Sequence, residues 1–304
     1  MVKYKMDYIA LRKISYTVSG LLVAASIVAL FVWGLPLGID FTGGSLWELE
    51  FSGSAPSVQM VREHLTPFEL GDVQVQQTGE RGMIIRMRDI DENTHQEVLS
   101  ALRELDANLT EKRFVSIGPV IGNELKRKAV WALGLVLVMI IAYIAFAFRH
   151  VSQPISSWKY GIVAIVALVH DVAIPTGLFV YLGKFQGVEI NALFISALLT
   201  ILGFSVHDTI VVFDRVRENL RRRVSTDFAE TVNISVTETV VRSINTSLTL
   251  LFVLLTLFFL GGESTRYFSL ALIVGTVVGV YSSIFIASPL LVTWQKWQSS
   301  PGRR

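Results

Sequence analysis

Two His-Asp pairs, His170-Asp171 and His207-Asp208, stand inside long apolar runs of this 304-residue chain. A charge at the centre of a membrane helix costs about 2.5 to 3.5 kcal/mol even on a lenient insertion scale, so such groups face protein or water and serve a purpose there. A metal site would use both His and both Asp. No H-E-x-x-H pair is present, however, and nothing in the spacing fixes the two runs at ligand distance, so no metal site is expected. For His170, Asp171 and His207 the plain reading is interhelical hydrogen bonding. Pro175 clashes with the carbonyl of residue 171 and loosens that turn. Asp208 differs: it precedes Arg215 by seven residues, about 10 Å along a helix, and so lies within the membrane near one face. Arg242 enters the next apolar run from that same face, and Thr246, four residues on, shares its side of the helix. Making and breaking an Asp208–Arg242 pair would switch proton affinity, which is the chemistry of a proton relay. Spacing alone also leaves open a snorkelling Arg242 and a static polar contact at Asp208.

Three further patterns carry geometry more than chemistry. Ala271, Gly275, Gly279, Ser283 and Ala287 recur every four residues, a close-packing stripe on one helix. The run from Phe213 to Arg223 extends an apolar segment as a charged helix, read as a solvated face. Gly38-Ile-Asp-Phe-Thr-Gly-Gly44 permits a tight turn in which Asp40 can bond backbone amides; it lacks the Gly-Lys-Ser/Thr ending of a phosphate loop and is expected to be a hinge, with Phe41, Gly43 and Gly44. Without cysteine there is no thiol nucleophile, disulfide or thiolate metal site, and without a nucleophile-base pair no enzyme is expected and no cofactor is implied.

The elements that must hold these residues follow from composition. Hydrophobic residues make up 52% and charged ones 17%, with mean hydropathy +0.53, which excludes an ordinary soluble protein. The net charge of +2 hides an uneven spread, since 14 of the 25 acids fall between Asp40 and Glu111, and nucleic-acid binding finds no support. Six uncharged runs are long enough to span a bilayer, at about 14–35, 129–148, 160–182, 190–213, 243–262 and 267–293. The first exceeds the apolar core of a signal peptide and is read as a retained anchor. With a cytoplasmic amino terminus, the inner segments hold 15 of the 27 Lys and Arg, while the two short outer loops hold only Lys184 and Arg266. The layout is then a cytoplasmic segment 1–13, a first span 14–35, a periplasmic domain 36–128, five spans with short loops over 129–295, and a cytoplasmic tail 296–304. Lys126, Arg127 and Lys128 fall on the outer side, at the end of a long loop where the charge rule is weak. Within the outer segment, alternation at 46–51, a helix at 58–65, strands at 73–75 and 83–87, a helix near 93–106 and a strand near 113–117 give βαββαβ, the ferredoxin-like order. The fold class is an α-helical polytopic membrane protein of six transmembrane helices with this small α+β domain between helices 1 and 2.

Nearly the whole chain resembles the SecF branch of the SecD/SecF protein-export family, within the resistance-nodulation-division superfamily. The resemblance rests on the 38–44 turn, His170-Asp171, Val206-His-Asp-Thr-Ile-Val-Val-Phe-Asp-Arg-Val-Arg-Glu-Asn219, and Gly279-Val-Tyr-Ser-Ser-Ile-Phe-Ile-Ala-Ser-Pro289. It implies a bacterial cytoplasmic (inner) membrane protein that pairs with SecD in a pseudo-symmetric twelve-span unit. Such a unit works with the SecYEG translocon and a translocating preprotein, and draws on protons through the proton-motive force late in translocation. The resemblance also places Asp208, Arg242 and Thr246 on the family's proton pathway. Two competing readings remain: a proton-independent assembly factor of the translocon, and a half-size exporter of lipids or small molecules.

Overall fold

The computed structural model describes residues 6–147 and 156–299; Lys3, Lys5, Arg149 and the last five residues of the tail lie outside them. The chain divides into two compact units, one of residues 37–130 and one of residues 1–36 with 131–304.

Among the described residues, the larger unit holds six helices long and apolar enough to cross a membrane. Helix α1 (Arg12–Trp33) begins behind Asp7, whose carboxylate accepts the amides of Ile9 and Ala10 at 3.1 and 3.0 Å, and ends at Gly34. After the smaller unit come α5 (Pro119–Ala147), α6 (Ser157–Gln186), α7 (Ala192–Arg222), α8 (Phe228–Leu260), and α9 (Glu263–Ser282) continued by α10 (Ser288–Ser299). Their ends follow local rules. Pro119 opens α5, where a missing N–H costs nothing. Gly187, in the left-handed region at φ 69°, closes α6. Asn191 caps α7 by accepting the amide of Phe194 at 3.0 Å. Asp227 caps α8, which begins well before the apolar run at 243, because Glu230, Asn233 and Glu238 are helical but not apolar.

Between α9 and α10, residues Ser283–Ala287 form a π turn in which the Ser288 amide donates to the Ser283 carbonyl. Pro289 follows directly and lacks the N–H that an α-helical turn needs there, so the ladder is already broken where the wide turn sits. The core of this unit gathers Ile144, Tyr160, Val163, Phe213, Val216, Val232, Val236, Ile284 and Leu291.

The smaller unit opens with a single helical turn, α2 (Ile39–Thr42), then β1 (Gly44–Glu50), α3 (Val58–Leu65), β2 (Gln74–Thr78), β3 (Gly82–Met87), α4 (Glu92–Arg103) and β4 (Thr110–Ile117). The sheet order is β2-β3-β1-β4, antiparallel throughout, which is the ferredoxin-like topology expected from the alternation. Trp47 and Leu49 of β1, Met83 and Ile85 of β3, Val61 and Leu65 of α3 and Val98 and Leu102 of α4 bury one face of the sheet beneath both helices. Ser57 and Asp91 cap α3 and α4 by accepting the amides of Met60 and Thr94.

Candidate functional site

The stripe on α9 meets a matching one on α7. A side chain added at Gly275 would collide with Ile201, and a Cβ at Gly279 would lie 3.1 Å from the Cβ of Ser205. One turn further on, Ser283 and Thr209 share a hydrogen bond of 2.8 Å. Positions 201, 205 and 209 thus face 275, 279 and 283. The glycines bring the two backbones close enough for short polar side chains to bond across the seam.

Beside this seam, α7, α8 and α9 enclose a cavity of about 220 Å³ lined by Ser205, His207, Asp208, Thr246, Ser247, Gly275, Thr276 and Gly279, with Phe204, Leu250 and Val280 as apolar walls. Asp208 is half-buried in its wall, with a side chain 13% exposed. Its ionic neighbour among the described residues is its own chain neighbour, His207, whose Nδ1 lies 3.7 Å away and whose side chain is 63% exposed. Arg242 is close enough for its charge to act on Asp208, yet among the described residues no ion pair closes between them. Arg242 instead lines a second cavity of about 450 Å³, with Tyr143, Asp214, Arg215, Arg217, Glu218 and Thr239. The Thr246 hydroxyl donates within its own helix, to the carbonyls of Arg242 and Ser243, both at 3.0 Å. The structure therefore gathers Asp208 and Thr246 at one cavity and sets Arg242 at the next.

Asp171 is fully buried. Its carboxylate accepts from Ser205 of α7, from Ser282 of α9 at 2.7 Å, and from His170 Nδ1 at 2.8 Å. Three helices are tied through one side chain, and His207, which is exposed, is not among its partners. His170 stacks on Tyr281 and keeps its Nε2 buried, without a hydrogen-bond partner among the described residues. Sequence reasoning missed Ser205 and Ser282. Serine is common in membrane helices, and the only signal was their placement: Ser205 one turn from Asp208, and Ser282 beside a stripe residue.

The charged end of α7 is less solvated than its composition suggests. Arg215 Nε donates to Glu238 of α8 at 2.7 Å, Arg222 pairs with Glu218 at 2.6 Å, and Asn219 bonds Ser235 at 3.0 Å. In the smaller unit, the 38–44 motif is the turn α2. The Gly38 carbonyl accepts the amides of Phe41 and Thr42, Phe41 is buried, and Asp40 stands in the first turn. Gly43 and Gly44 adopt φ of 76° and 124°. A Cβ on Gly43 would come within 2.7 Å of Pro119 Cα, and one on Gly44 within 2.7 Å of the Met87 carbonyl, so side chains are excluded there on two counts.

Fold and site together define a polytopic membrane protein in which one half-buried carboxylate and one fully buried carboxylate sit inside a six-helix bundle, with a small ferredoxin-like domain inserted after the first helix. The family described as protein export membrane protein SecD/SecF, C-terminal, matches residues 97–297, and the SecD/SecF GG motif matches residues 28–55. The protein translocase subunit SecF of Thermobaculum terrenum is 44% identical over 302 residues, covering 95% of this chain and 94% of its own length. That of Haemophilus influenzae is 37% identical, covering 92% and 83%. The crystal structure of SecDF, a translocon-associated membrane protein from Thermus thermophilus, superposes with a TM-score of 0.84 at 34% identity, covering 97% of this chain and 39% of that longer one. The chain belongs to the SecD/SecF family of protein-export membrane proteins, on the SecF side.

Proposed function

We propose that this chain is the SecF half of a proton-driven export unit, which uses the proton-motive force to assist the late stages of preprotein movement through the SecYEG channel. Asp208 carries the reading. It is a carboxylate within a membrane helix, lining a cavity with Thr246, with the Arg242 charge in range but not locked to it. A permanently closed pair would be structural glue; an open one can bind and release a proton as the helices shift. One elementary charge crossing 100 mV supplies about 2.3 kcal/mol, enough to bias a two-state rearrangement.

Pairing with SecD is supported by the surface around this site. His207, Arg242 and Thr246 are exposed on the chain alone, together with Val241, Ile244, Leu248, Phe252 and Val253. Polar and charged groups at membrane depth face protein or water, so a second helical bundle covering this face accounts for both sets. The longer solved SecDF chain, of which this one spans 39%, leaves room for such a bundle. The proposed topology places the protein in the bacterial inner membrane, with both termini cytoplasmic and residues 36–128 outside, on the strength of the Lys and Arg distribution. The 38–44 turn would serve as the hinge through which the outer domain follows the bundle.

The test is preprotein translocation into inverted vesicles carrying this chain with its SecD, native against Asp208→Asn, with and without an uncoupler. The expected result is loss of the uncoupler-sensitive component with assembly intact. An assembled mutant that keeps that component would make the chain a proton-independent assembly factor.

A further inference from the structure

Ser205 belongs to two polar systems at once. Its hydroxyl donates to Asp171 Oδ2, at the centre of the three-helix knot, and its side chain lines the cavity that holds Asp208. Ser282 donates to the same oxygen at 2.7 Å but does not line that cavity. Behind Asp171 stands His170, 5% exposed, with Nδ1 on Asp171 Oδ1 at 2.8 Å and a buried Nε2 that has no hydrogen-bond partner among the described residues. Gly275 and Gly279 keep the cavity wall beside Ser205 free of side-chain bulk. The cavity is polar enough, through Asp208, Thr246, Ser247 and Thr276, and roomy enough to hold water.

We propose that His170 and Asp171 form a second proton-holding site of the bundle, connected to Asp208 through the Ser205 hydroxyl and water in the cavity. This rests on the proton-coupling reading of Asp208. The step conserves every proton. A proton resident on the dyad as the Asp171 carboxylic acid passes to the Ser205 oxygen, and the proton Ser205 carried leaves to a cavity water. That water delivers one proton to the Asp208 carboxylate, and the hydroxyl then rotates back to donate to the now ionised Asp171. The net change is one proton moved from Asp171 to Asp208. His170 holds the carboxylate in place through Nδ1, and the dyad is reloaded by the same steps in reverse, from the cavity through Ser205.

The two serines separate a relay from a scaffold. Ser205→Ala and Ser282→Ala each remove one hydroxyl from the same carboxylate oxygen, so a role confined to holding that oxygen makes their effects on the uncoupler-sensitive rate similar. The relay makes them unequal. In the vesicle assay with the SecD-paired complex, Ser205→Ala is expected to reduce the uncoupler-sensitive rate by about tenfold or more, the scale of a lost proton-transfer group, and Ser282→Ala by less than about threefold. A second readout does not depend on export: pH-jump infrared difference spectra of the purified complex should contain a carboxylic C=O band that is absent in Asp171→Asn and whose appearance is slowed in Ser205→Ala. Equal rates for the two serine variants, or no band assignable to Asp171, overturn the proposal while Asp208→Asn still loses coupling. If Asp208→Asn is also silent, the proton-coupling reading fails and the relay falls with it.

Discussion

Single side chains in this protein act by how many donors they collect. Asp106, in the turn before β4, accepts the Ser52 amide at 2.6 Å, the Asn108 amide at 2.9 Å and the Ser52 hydroxyl, and these bonds hold its carboxyl below the ordinary aspartate range. The sign follows from linkage. A carboxyl whose folded value is depressed contributes its stabilisation in full above about 3.9, its unfolded value, and loses it as pH falls through the lower folded value. Hydrogen-exchange protection at Ser52 and Asn108, corrected for intrinsic rate, is therefore expected to fall as pH drops below about 4, and to show no such step in Asp106→Asn. Asp171 collects three donors in the same manner but is buried between helices. That contrast marks what a sequence discloses. The rarity of a charge in an apolar run singles out Asp171 and Asp208, whereas the serines that decide their surroundings are ordinary residues whose importance lies in contacts across helices.

At the scale of the element, periodicity was the best guide. Alternation over 46–51 located β1, and the helix expected near 93–106 is α4, which runs Glu92–Arg103. The four-residue stripe identified the packing face of α9, although its partner, the Ile201-Ser205-Thr209 face of α7, could be found only in three dimensions. Element ends were harder to place. The polar first half of α8 carries no hydropathy signal, and neither does the extension of α5 back to Pro119. The π turn at Ser283–Ala287 was invisible too, since Pro289 announces a break but not its form. Gly279→Leu tests the seam. Four heavy atoms cannot fit where even a Cβ would be 3.1 Å from Ser205, so α9 must move off α7. The expected cost is about 1 to 3 kcal/mol or more, read as a lower melting temperature of the detergent-purified protein, with Gly279→Ala much milder.

For the molecule as a whole, the family match is spread over both units: the GG motif at residues 28–55 and the C-terminal region at residues 97–297 each take in residues of both. The cysteine-free sequence makes the proposed partner surface simple to map. Single cysteines at Val253 and Phe252, which are 59% and 65% exposed on α8, are expected to cross-link to SecD in membranes. A cysteine at Phe31, 84% exposed on α1, serves as the comparison. Cross-linking at none of the α8 positions would remove that face from the SecD interface. The α7–α9 seam has one more property. A stripe that repeats every four residues, set against another that does the same, fits itself again after a shift of four residues, about 6 Å along the axis. A shift toward residue 271 would set Ala271 against Ile201, where a Cβ has no room, but a shift the other way would set Gly279 there, so the glycine surface by itself still allows two registers. That choice is made by polar pins, Asp171 holding Ser205 and Ser282 together and Thr209 meeting Ser283, so the same few hydroxyls that bond across the seam also keep the ruler from slipping by one division.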